Sequence, residues 1–319
     1  MKEKLLIYML AALLAFSSLA GCAPRAAAEP EPDGGRLSVV ATIFPLYDFA
    51  RAVSGGLADV ALLISPGAEV HSFDPTAQDI MKIQNCDVFV YVGGRNDAWV
   101  DTVLGSVDMS GKRVVRLMDA VTPVAEEIVE GMQADGHAEE DPHEEYDEHI
   151  WTSPENAMLM VDAIEQVMSE ADSANAESYL KNATAYNAQI QGIDERIRAI
   201  VDGAAQRLIV VADRFPFRYL TERYGLDYIA AFSGCSAESD VSAGTLAYLI
   251  DKVKENGIKY IYYIEMSNRQ VADAVAEQTG AEPLLLHSCQ NVARDEFESG
   301  ATYVSLMARN ADNLEKGLN

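Results

Sequence analysis

The fold of this 319-residue chain is decided by residues 179–200, which read YLKNATAYNAQIQGIDERIRAI. Apolar side chains recur here at spacings of three and four: Tyr179, Ala183, Tyr186, Ile190, Ile193, Ile197 and Ile200. This spacing places them on one stripe of an α-helix. The predicted helix covers residues 173–203 and, at 1.5 Å per residue, is about 45 Å long. A helix of that length can contact both halves of a two-lobed protein.

The two halves that flank this helix each alternate short apolar strands with helices. The predicted strands cover residues 37–41, 59–64, 87–92 and 114–117 in the first half, and 208–212, 228–232, 260–264 and 283–286 in the second. Such alternation is typical of parallel sheets covered by helices. We therefore predict an α/β protein with two lobes, residues 37–172 and 204–319. Each lobe has a mainly parallel sheet flanked by helices, and one long rigid helix joins them.

The first 22 residues are predicted to be a lipoprotein signal peptide. A charged start precedes the apolar residues 5–19, which are too few to span a bilayer comfortably. The following Leu-Ala-Gly-Cys matches a bacterial lipobox, which predicts lipidation of Cys22; a plain secretory signal is the alternative. Residues 23–36 then form a flexible tether. The mature protein is expected to be extracytoplasmic and anchored to the cell membrane through its lipid.

The formal net charge of -26 argues against a nucleic-acid partner. Acidic residues concentrate in residues 135–148, which also hold His137 and His143. Like charges at this density do not pack, so we predict a mobile loop. It either collects metal ions weakly or is simply a solvated acidic loop.

Two histidines stand in distinctive settings, His71 in GAEVHSFDP (67–75) and His149 in DEHIWTSP (147–154). Each precedes a predicted helix start, where the backbone holds a side chain in place. Neutral imidazole is the commonest protein ligand for transition metals. We interpret the two residues as a metal-binding pair; the alternative is two ordinary surface or capping histidines.

Further candidate residues follow the strands of the second half. Asp213 and Arg214 follow its first strand, Glu265 follows the third, and His287 follows the fourth. Ligands of open α/β sheets bind beyond the carboxyl ends of the strands, so these side chains are expected near the cleft between the lobes. A third imidazole would favour zinc over calcium or magnesium.

From about residue 37 to 310 the chain resembles the metal-binding receptor lipoproteins of bacterial zinc and manganese ABC importers. The resemblance rests on the segments ATIFPLY (41–47), GAEVHSFDP (67–75), DVFVYVG (87–93), EHIW (148–151) and YLTERYGL (219–226). It implies two pseudo-symmetric α/β lobes joined by a helix, with one divalent ion between them. It also implies a non-enzymatic role, delivery of that ion to a membrane permease.

The ligand positions of that family transfer only in part. Its first two metal histidines fall on His71 and His149, and its fourth ligand falls on or next to His287. Its third falls on Arg214, which has no lone pair and cannot ligate a metal. The resemblance therefore implies a site of three histidines.

Water or a carboxylate, Glu265 or Asp213, is expected as the fourth donor. Arg214 is expected to pair with a nearby acid and to orient it toward a ligand. The acids considered are Asp213, Glu238, Asp240 and Glu265. Some relatives carry a disulfide in the second lobe, which implies a Cys235–Cys289 bridge here; two free thiols are the alternative.

The predicted function is capture of Zn²⁺ by a monomeric receptor that delivers it to an ABC permease. The same fold serving Mn²⁺ or Fe²⁺ is one alternative, although these ions favour more oxygen ligands. A surface zinc hydrolase with Glu265 as general base is an alternative of another class. A surface adhesin is the third, which the lipid anchor permits.

Overall fold

A computed structural model describes residues 35–133, 146–236 and 240–319. The strands of the amino-terminal lobe are β1 (Ser38–Ala41), β2 (Asp59–Leu62), β3 (Val88–Tyr91) and β4 (Arg113–Arg116). Its helices are α1 (Phe44–Ser54), α2 (Ala77–Asn85), α3 (Ala98–Ser106) and α4 (Pro154–Ala171). The strands form a parallel sheet in the order β2-β1-β3-β4.

The long helix is present as α5 (Ala176–Gly203), whose 28 residues span about 42 Å. Its predicted apolar stripe is buried, with Val201 rather than Ile200 as its last member. Toward the amino-terminal lobe, Asn182 Nδ2 of the helix donates a hydrogen bond of 3.0 Å to the carbonyl oxygen of Val53. Toward the carboxy-terminal lobe, Asp194 of the helix accepts hydrogen bonds of 3.1 Å at both carboxylate oxygens from two nitrogens of Arg223. The helix therefore contacts both lobes, while the rigidity of the connection remains a prediction.

The carboxy-terminal lobe repeats the architecture of the first. Its strands are β5 (Leu208–Arg214), β6 (Asp227–Phe232), β7 (Tyr260–Tyr263) and β8 (Glu282–Leu285). They pair in parallel in the order β6-β5-β7-β8, the same spatial order as in the first lobe. Its helices are α6 (Arg218–Tyr224), α7 (Ala243–Glu255), α8 (Gln270–Thr279), α9 (Arg294–Glu298) and α10 (Tyr303–Gly317).

One apolar core continues through both lobes and the long helix. It includes Val39 of β1, Ile190 of α5, Val211 of β5 and Leu314 of α10, all buried. Two smaller apolar clusters cover the outer faces of the sheets, one in each lobe. Burial on both faces is typical of parallel sheets, and it accounts for the apolar sequence of the central strands β1, β3 and β5.

Helix α3 was not expected from the sequence. Its residues include Trp99, Val100, Thr102 and Val103, which are weak helix formers. Val100 and Val103 are buried in the outer cluster of the first lobe, so tertiary packing outweighs local preference here. None of the helices within the described ranges is both long and apolar enough to cross a membrane.

The predicted signal peptide, its Cys22 and nearly all of the tether lie outside the described residues. Arg36, assigned to the tether, is described, and its Nε donates to Asp59 Oδ1 at 2.7 Å. His137 and His143 also lie outside the described residues.

Candidate metal site

His149 is held where the chain enters helix α4. The helix begins as predicted, with Pro154 in its first turn and the Ser153 hydroxyl accepting a capping hydrogen bond. The His149 backbone N–H donates to Asp147 Oδ1 at 2.8 Å, and the ring Nδ1 lies 3.1 Å from the same oxygen. Since Nδ1 faces an acceptor, it carries the proton in the neutral ring, and Nε2 keeps its lone pair.

His149 Nε2 is buried and has no hydrogen-bond partner among residues 35–133, 146–236 and 240–319. Burial disfavours a charged ring, but the carboxylates of Asp147 and Glu148 outweigh it and raise the pKa of His149 above its ordinary value. A buried lone pair beside acidic groups suits an incoming cation.

His71 faces His149 from the loop that follows β2. The two ring centroids lie 5.9 Å apart. Burial, followed by the nearby His149 and Arg214, lowers the pKa of His71 to about 4. The imidazole is therefore neutral near pH 7 and available as a nitrogen donor.

Glu148 and Cys235 complete a cluster with His71. One potential ligand atom from each of these three side chains lies within 4.8 Å of the other two. Cys235 follows β6 of the carboxy-terminal lobe, so the cluster draws on both lobes. Burial raises the pKa of Glu148 and, together with Glu148, that of the Cys235 thiol. A cation that binds the Cys235 sulfur as a thiolate therefore displaces its proton.

Asn96 occupies the centre of this cluster. It lies in the short 3₁₀ turn that follows β3. Its Nδ2 is 2.6 Å from His71 Nδ1 and 3.8 Å from Cys235 Sγ, and it also donates to Glu148 Oε1. The side-chain amide thus makes contact with all three potential ligands at once.

Comparison with known proteins places the chain in a zinc-uptake family. The family model described as the periplasmic component A of the zinc-uptake complex, ZnuA, matches residues 39–317. The chain belongs to this family. It is therefore a member of a family of metal-binding transport receptors rather than of enzymes.

Relatives with zinc in their names are about one-third identical to the chain. The zinc-binding lipoprotein AdcA of Streptococcus pneumoniae is 32% identical over 283 residues, 88% of the chain but only 56% of AdcA. The chain thus spans about half the length of that relative. The high-affinity zinc uptake system protein ZnuA of Bacillus subtilis is 30% identical, over 89% of the chain and 88% of that protein.

Solved structures of relatives share the fold. The Zn(II)-bound ZnuA-like domain of AdcA superposes with a TM-score of 0.74 at 29% identity, over 89% of the chain and 99% of that domain. The laminin-binding protein Lmb of Streptococcus agalactiae, described as having adhesin and metal-transporting activity, gives a TM-score of 0.74 at 26% identity. That match covers 89% of the chain and all of Lmb. The predicted two-lobed α/β fold is confirmed.

Part of the predicted acidic loop is ordered and belongs to the site. Residues 134–145 are outside the described ranges, but Tyr146 forms a β-bridge with Ala125. The Asp147 carbonyl oxygen accepts a hydrogen bond of 2.8 Å from the Tyr219 hydroxyl. Asp147 and Glu148 are buried. The prediction of a mobile loop was therefore wrong for residues 146–148, since their polar groups have partners in the fold.

His287 is not part of the cluster, contrary to the prediction. Its Nδ1 accepts the backbone N–H of Cys289 at 2.9 Å, and its Nε2 lies 3.6 Å from Glu296 Oε2. Asn310 fixes its backbone, accepting from the His287 N–H and donating to the His287 carbonyl oxygen, both at 2.7 Å. Nδ1 is therefore occupied, and Nε2 has no hydrogen bond among the described residues but lies at ion-pair distance from Glu296, so the residue stabilises its own loop.

Glu265 and Asp213, the predicted fourth donors, are also committed elsewhere. Glu265 accepts a hydrogen bond of 2.7 Å from the Ser288 N–H and another from the Ser288 hydroxyl. Asp213 accepts from the backbone N–H of Arg214 at 2.9 Å and from that of Ile264 at 3.4 Å. Both carboxylates hold loops at the carboxyl ends of strands, and neither joins the cluster of potential ligands.

Arg214 pairs with an acid that the sequence analysis did not consider. Its Nη1 lies 3.5 Å from Glu69 Oε2, two residues before His71 in the opposite lobe. This pairing lowers the pKa of Glu69 against the opposing effect of its burial. Asp213, one of the predicted partners, accepts a hydrogen bond from the Arg214 backbone N–H. The guanidinium thus faces the site without supplying a ligand.

The predicted Cys235–Cys289 disulfide is absent, and both thiols are free. Cys235 lies with the potential ligands, whereas the buried Cys289 thiol lies 3.7 Å from the His287 carbonyl oxygen. Sequence reasoning therefore missed Cys235 and Glu148 as site residues. Both residues carried a signal that could have found them. Cys235 lies beyond the carboxyl end of a strand, the same criterion that selected the other candidates of this lobe, and Glu148 is next to the candidate His149.

Proposed function

We propose that the chain is an extracytoplasmic receptor that captures Zn²⁺ between its two lobes and delivers it to the permease of an ABC importer. The observation that carries this proposal is the buried, unpartnered Nε2 of His149, whose ring centroid lies 5.9 Å from that of the neutral His71. A fully buried polar atom without a partner in the described protein costs free energy, and a bound cation would recover it.

The chemistry of the nearby donors favours zinc. Imidazole nitrogen and thiolate sulfur suit Zn²⁺, whereas Mn²⁺ and Fe²⁺ favour sites richer in oxygen. Within the described cluster, Glu148 is the one oxygen donor, beside His71 and Cys235. The zinc-bound AdcA domain shows that the shared fold accommodates this ion.

A zinc hydrolase is not supported by the site. The general base proposed for it, Glu265, uses both carboxylate oxygens to hold Ser288. It also does not join the cluster of potential ligands, where a metal-bound water would have to be activated. Adhesion is a second candidate activity, which the likeness to Lmb favours. Binding of the purified protein to immobilised laminin would test it.

The membrane is the expected place of action. AdcA is named a lipoprotein, and Cys22 of this chain lies in a lipobox-like segment. We infer lipid anchorage through Cys22, docking of a monomer onto a membrane permease, and no nucleic-acid partner. Membrane fractionation of cells that express the wild type and Cys22→Ala tests the anchor, because only the wild type should remain with the membrane.

Calorimetric titration of the chelator-stripped protein tests the receptor function. We expect one tight Zn²⁺ site per chain and much weaker binding of Mn²⁺. Cells that lack the protein should lose zinc uptake at low external zinc and regain it with the wild type. Absence of a tight site, or uptake that is independent of the protein, would contradict the proposal.

A further inference from the structure

The thiol of Cys235 lies where a cation between the lobes would meet it. Its Sγ and one potential ligand atom each of His71 and Glu148 all lie within 4.8 Å of one another. Around a tetrahedral zinc, with bonds of about 2.0 Å to nitrogen and about 2.3 Å to sulfur, donor atoms are roughly 3.3–3.7 Å apart. Side-chain movements of about one ångström would close this set around an ion.

The side-chain amide of Asn96 marks the point on which these groups converge. Its single Nδ2 approaches His71 Nδ1, Glu148 Oε1 and Cys235 Sγ together. An amide nitrogen carries two hydrogens, so it cannot satisfy three acceptors at full strength. A divalent cation at the same point would satisfy all three, and Asn96 would rotate away.

The unpartnered Nε2 of His149 is an independent sign of a ligand here. The loop that carries Cys235 packs directly on this ring: a Cβ on Gly234 would lie 3.0 Å from His149 Cε1. Glycine therefore allows the backbone before Cys235 to approach the imidazole closely. The thiol and the two histidines are thus brought together by contact between the lobes.

The neighbouring arginine makes a further donor necessary. Arg214 faces the site from β5, yet its guanidinium pairs with Glu69 and has no lone pair to offer. Within the described part of this lobe, Cys235 is the side chain that joins the ligand cluster.

We infer that Cys235 is a metal ligand, and that it makes the site selective for thiophilic cations such as Zn²⁺ and Cd²⁺ over Mn²⁺. This inference deepens the proposed receptor function and rests on it. The donors are the Cys235 thiolate, imidazole nitrogens of His71 and His149, and a Glu148 oxygen. On binding, the S–H bond breaks, its electron pair remains on sulfur and forms the bond to the metal, and the proton leaves to solvent. Thiolate ligation selects soft or borderline cations.

Absorption spectroscopy of the reduced, chelator-stripped protein tests this assignment. Titration with Co²⁺ or Cd²⁺ should produce a thiolate-to-metal charge-transfer band that saturates at one equivalent. The band should be absent in Cys235→Ser and unchanged in the matched controls Cys86→Ser and Cys289→Ser. In competition with a chelator, Zn²⁺ affinity of Cys235→Ser should fall by at least the roughly 10- to 100-fold typical of outer ligand partners.

A rescue variant separates ligation from folding. Cys235→His should lose the band but keep tight Zn²⁺ binding, because imidazole also suits zinc. Two results would overturn the role of Cys235 and leave the receptor function standing. The first is a wild type that binds Zn²⁺ tightly but shows no charge-transfer band with Co²⁺ or Cd²⁺. The second is an unchanged Zn²⁺ affinity in Cys235→Ser. A wild type that binds no Zn²⁺ would overturn the receptor function itself.

Discussion

His149 and His287 are buried to the same degree, with 0% and 1% of their surfaces exposed, and each has a carboxylate near its ring. The groups around their rings differ. Both Nε2 atoms lack a hydrogen-bond partner among the described residues, but His287 Nε2 lies 3.6 Å from Glu296 Oε2, whereas the ring of His149 lies 5.9 Å from that of His71, a potential ligand. Burial and residue type therefore do not identify a metal ligand. The potential ligands beside the ring do.

Replacement by asparagine offers the sharpest contrast between the two sites, because an asparagine amide can replace the Nδ1 side of a histidine but not its Nε2. We expect His149→Asn to keep a hydrogen bond to Asp147 and to lower Zn²⁺ affinity by more than about 100-fold, beyond the usual effect of losing an outer partner. Chelator competition measures the affinity, and thermal unfolding without zinc serves as the control. Retained affinity in a folded variant would remove His149 from the site.

At position 287 the main effect should be on stability. His287→Ala leaves the buried Cys289 N–H without an acceptor, so the free energy of unfolding should fall by about 1–3 kcal/mol. His287→Asn restores an acceptor and should recover part of this loss. Urea unfolding checks both variants. Zn²⁺ affinity should stay unchanged in each, and a large loss in His287→Asn would reinstate His287 as a ligand.

The carboxylate beside His287 should give the protein an acid-sensitive stability. Contact with His287, together with two hydrogen bonds from Arg309, lowers the pKa of Glu296 to about 2. A group whose pKa is lower in the folded state stabilises the fold above its unfolded pKa of about 4.5, and this contribution is lost as the pH falls toward about 2. Glu296→Gln should therefore lose less stability than the wild type between these pH values, measured by urea unfolding. Equal losses would show that Glu296 does not contribute.

The smallest effect is expected at Arg214. Its guanidinium repels a nearby cation, but its partner Glu69 is half exposed and solvent screens the pair. We expect Arg214→Ala to bind Zn²⁺ more tightly by less than about tenfold, with Arg214→Lys close to the wild type. Calorimetry checks both variants. A 10- to 100-fold loss would instead support the expectation from sequence, that Arg214 orients a ligand.

Periodicity alone predicted most of the fold. The strands β1–β8 and the long helix were predicted because each has its own apolar pattern, which can be read without knowing its neighbours in the fold. The capping residue Ser153 located the start of α4. Helix α3 was missed because its stability comes from burial of Val100 and Val103 rather than from local preference.

The site was less predictable because it depends on contacts between distant segments. His71 and His149 were found from their own neighbourhoods, which hold them in place locally. His287 lies outside the cluster of potential ligands, and the groups next to its ring nitrogens, the Cys289 N–H and Glu296, could not be foreseen from the sequence. Cys235 was assigned to a disulfide because the sequence does not show that its loop packs on the His149 ring.

The apolar core that runs without interruption from β1 through α5 to β5 and α10 bears on how the molecule folds. Two lobes that share one core have no separate free energies of unfolding, since neither can be removed without exposing the apolar side of the other and of the helix. Denaturation should therefore be one cooperative transition when it is followed at either lobe. Slowly exchanging amide hydrogens should cluster along α5, where opening requires the whole protein to unfold.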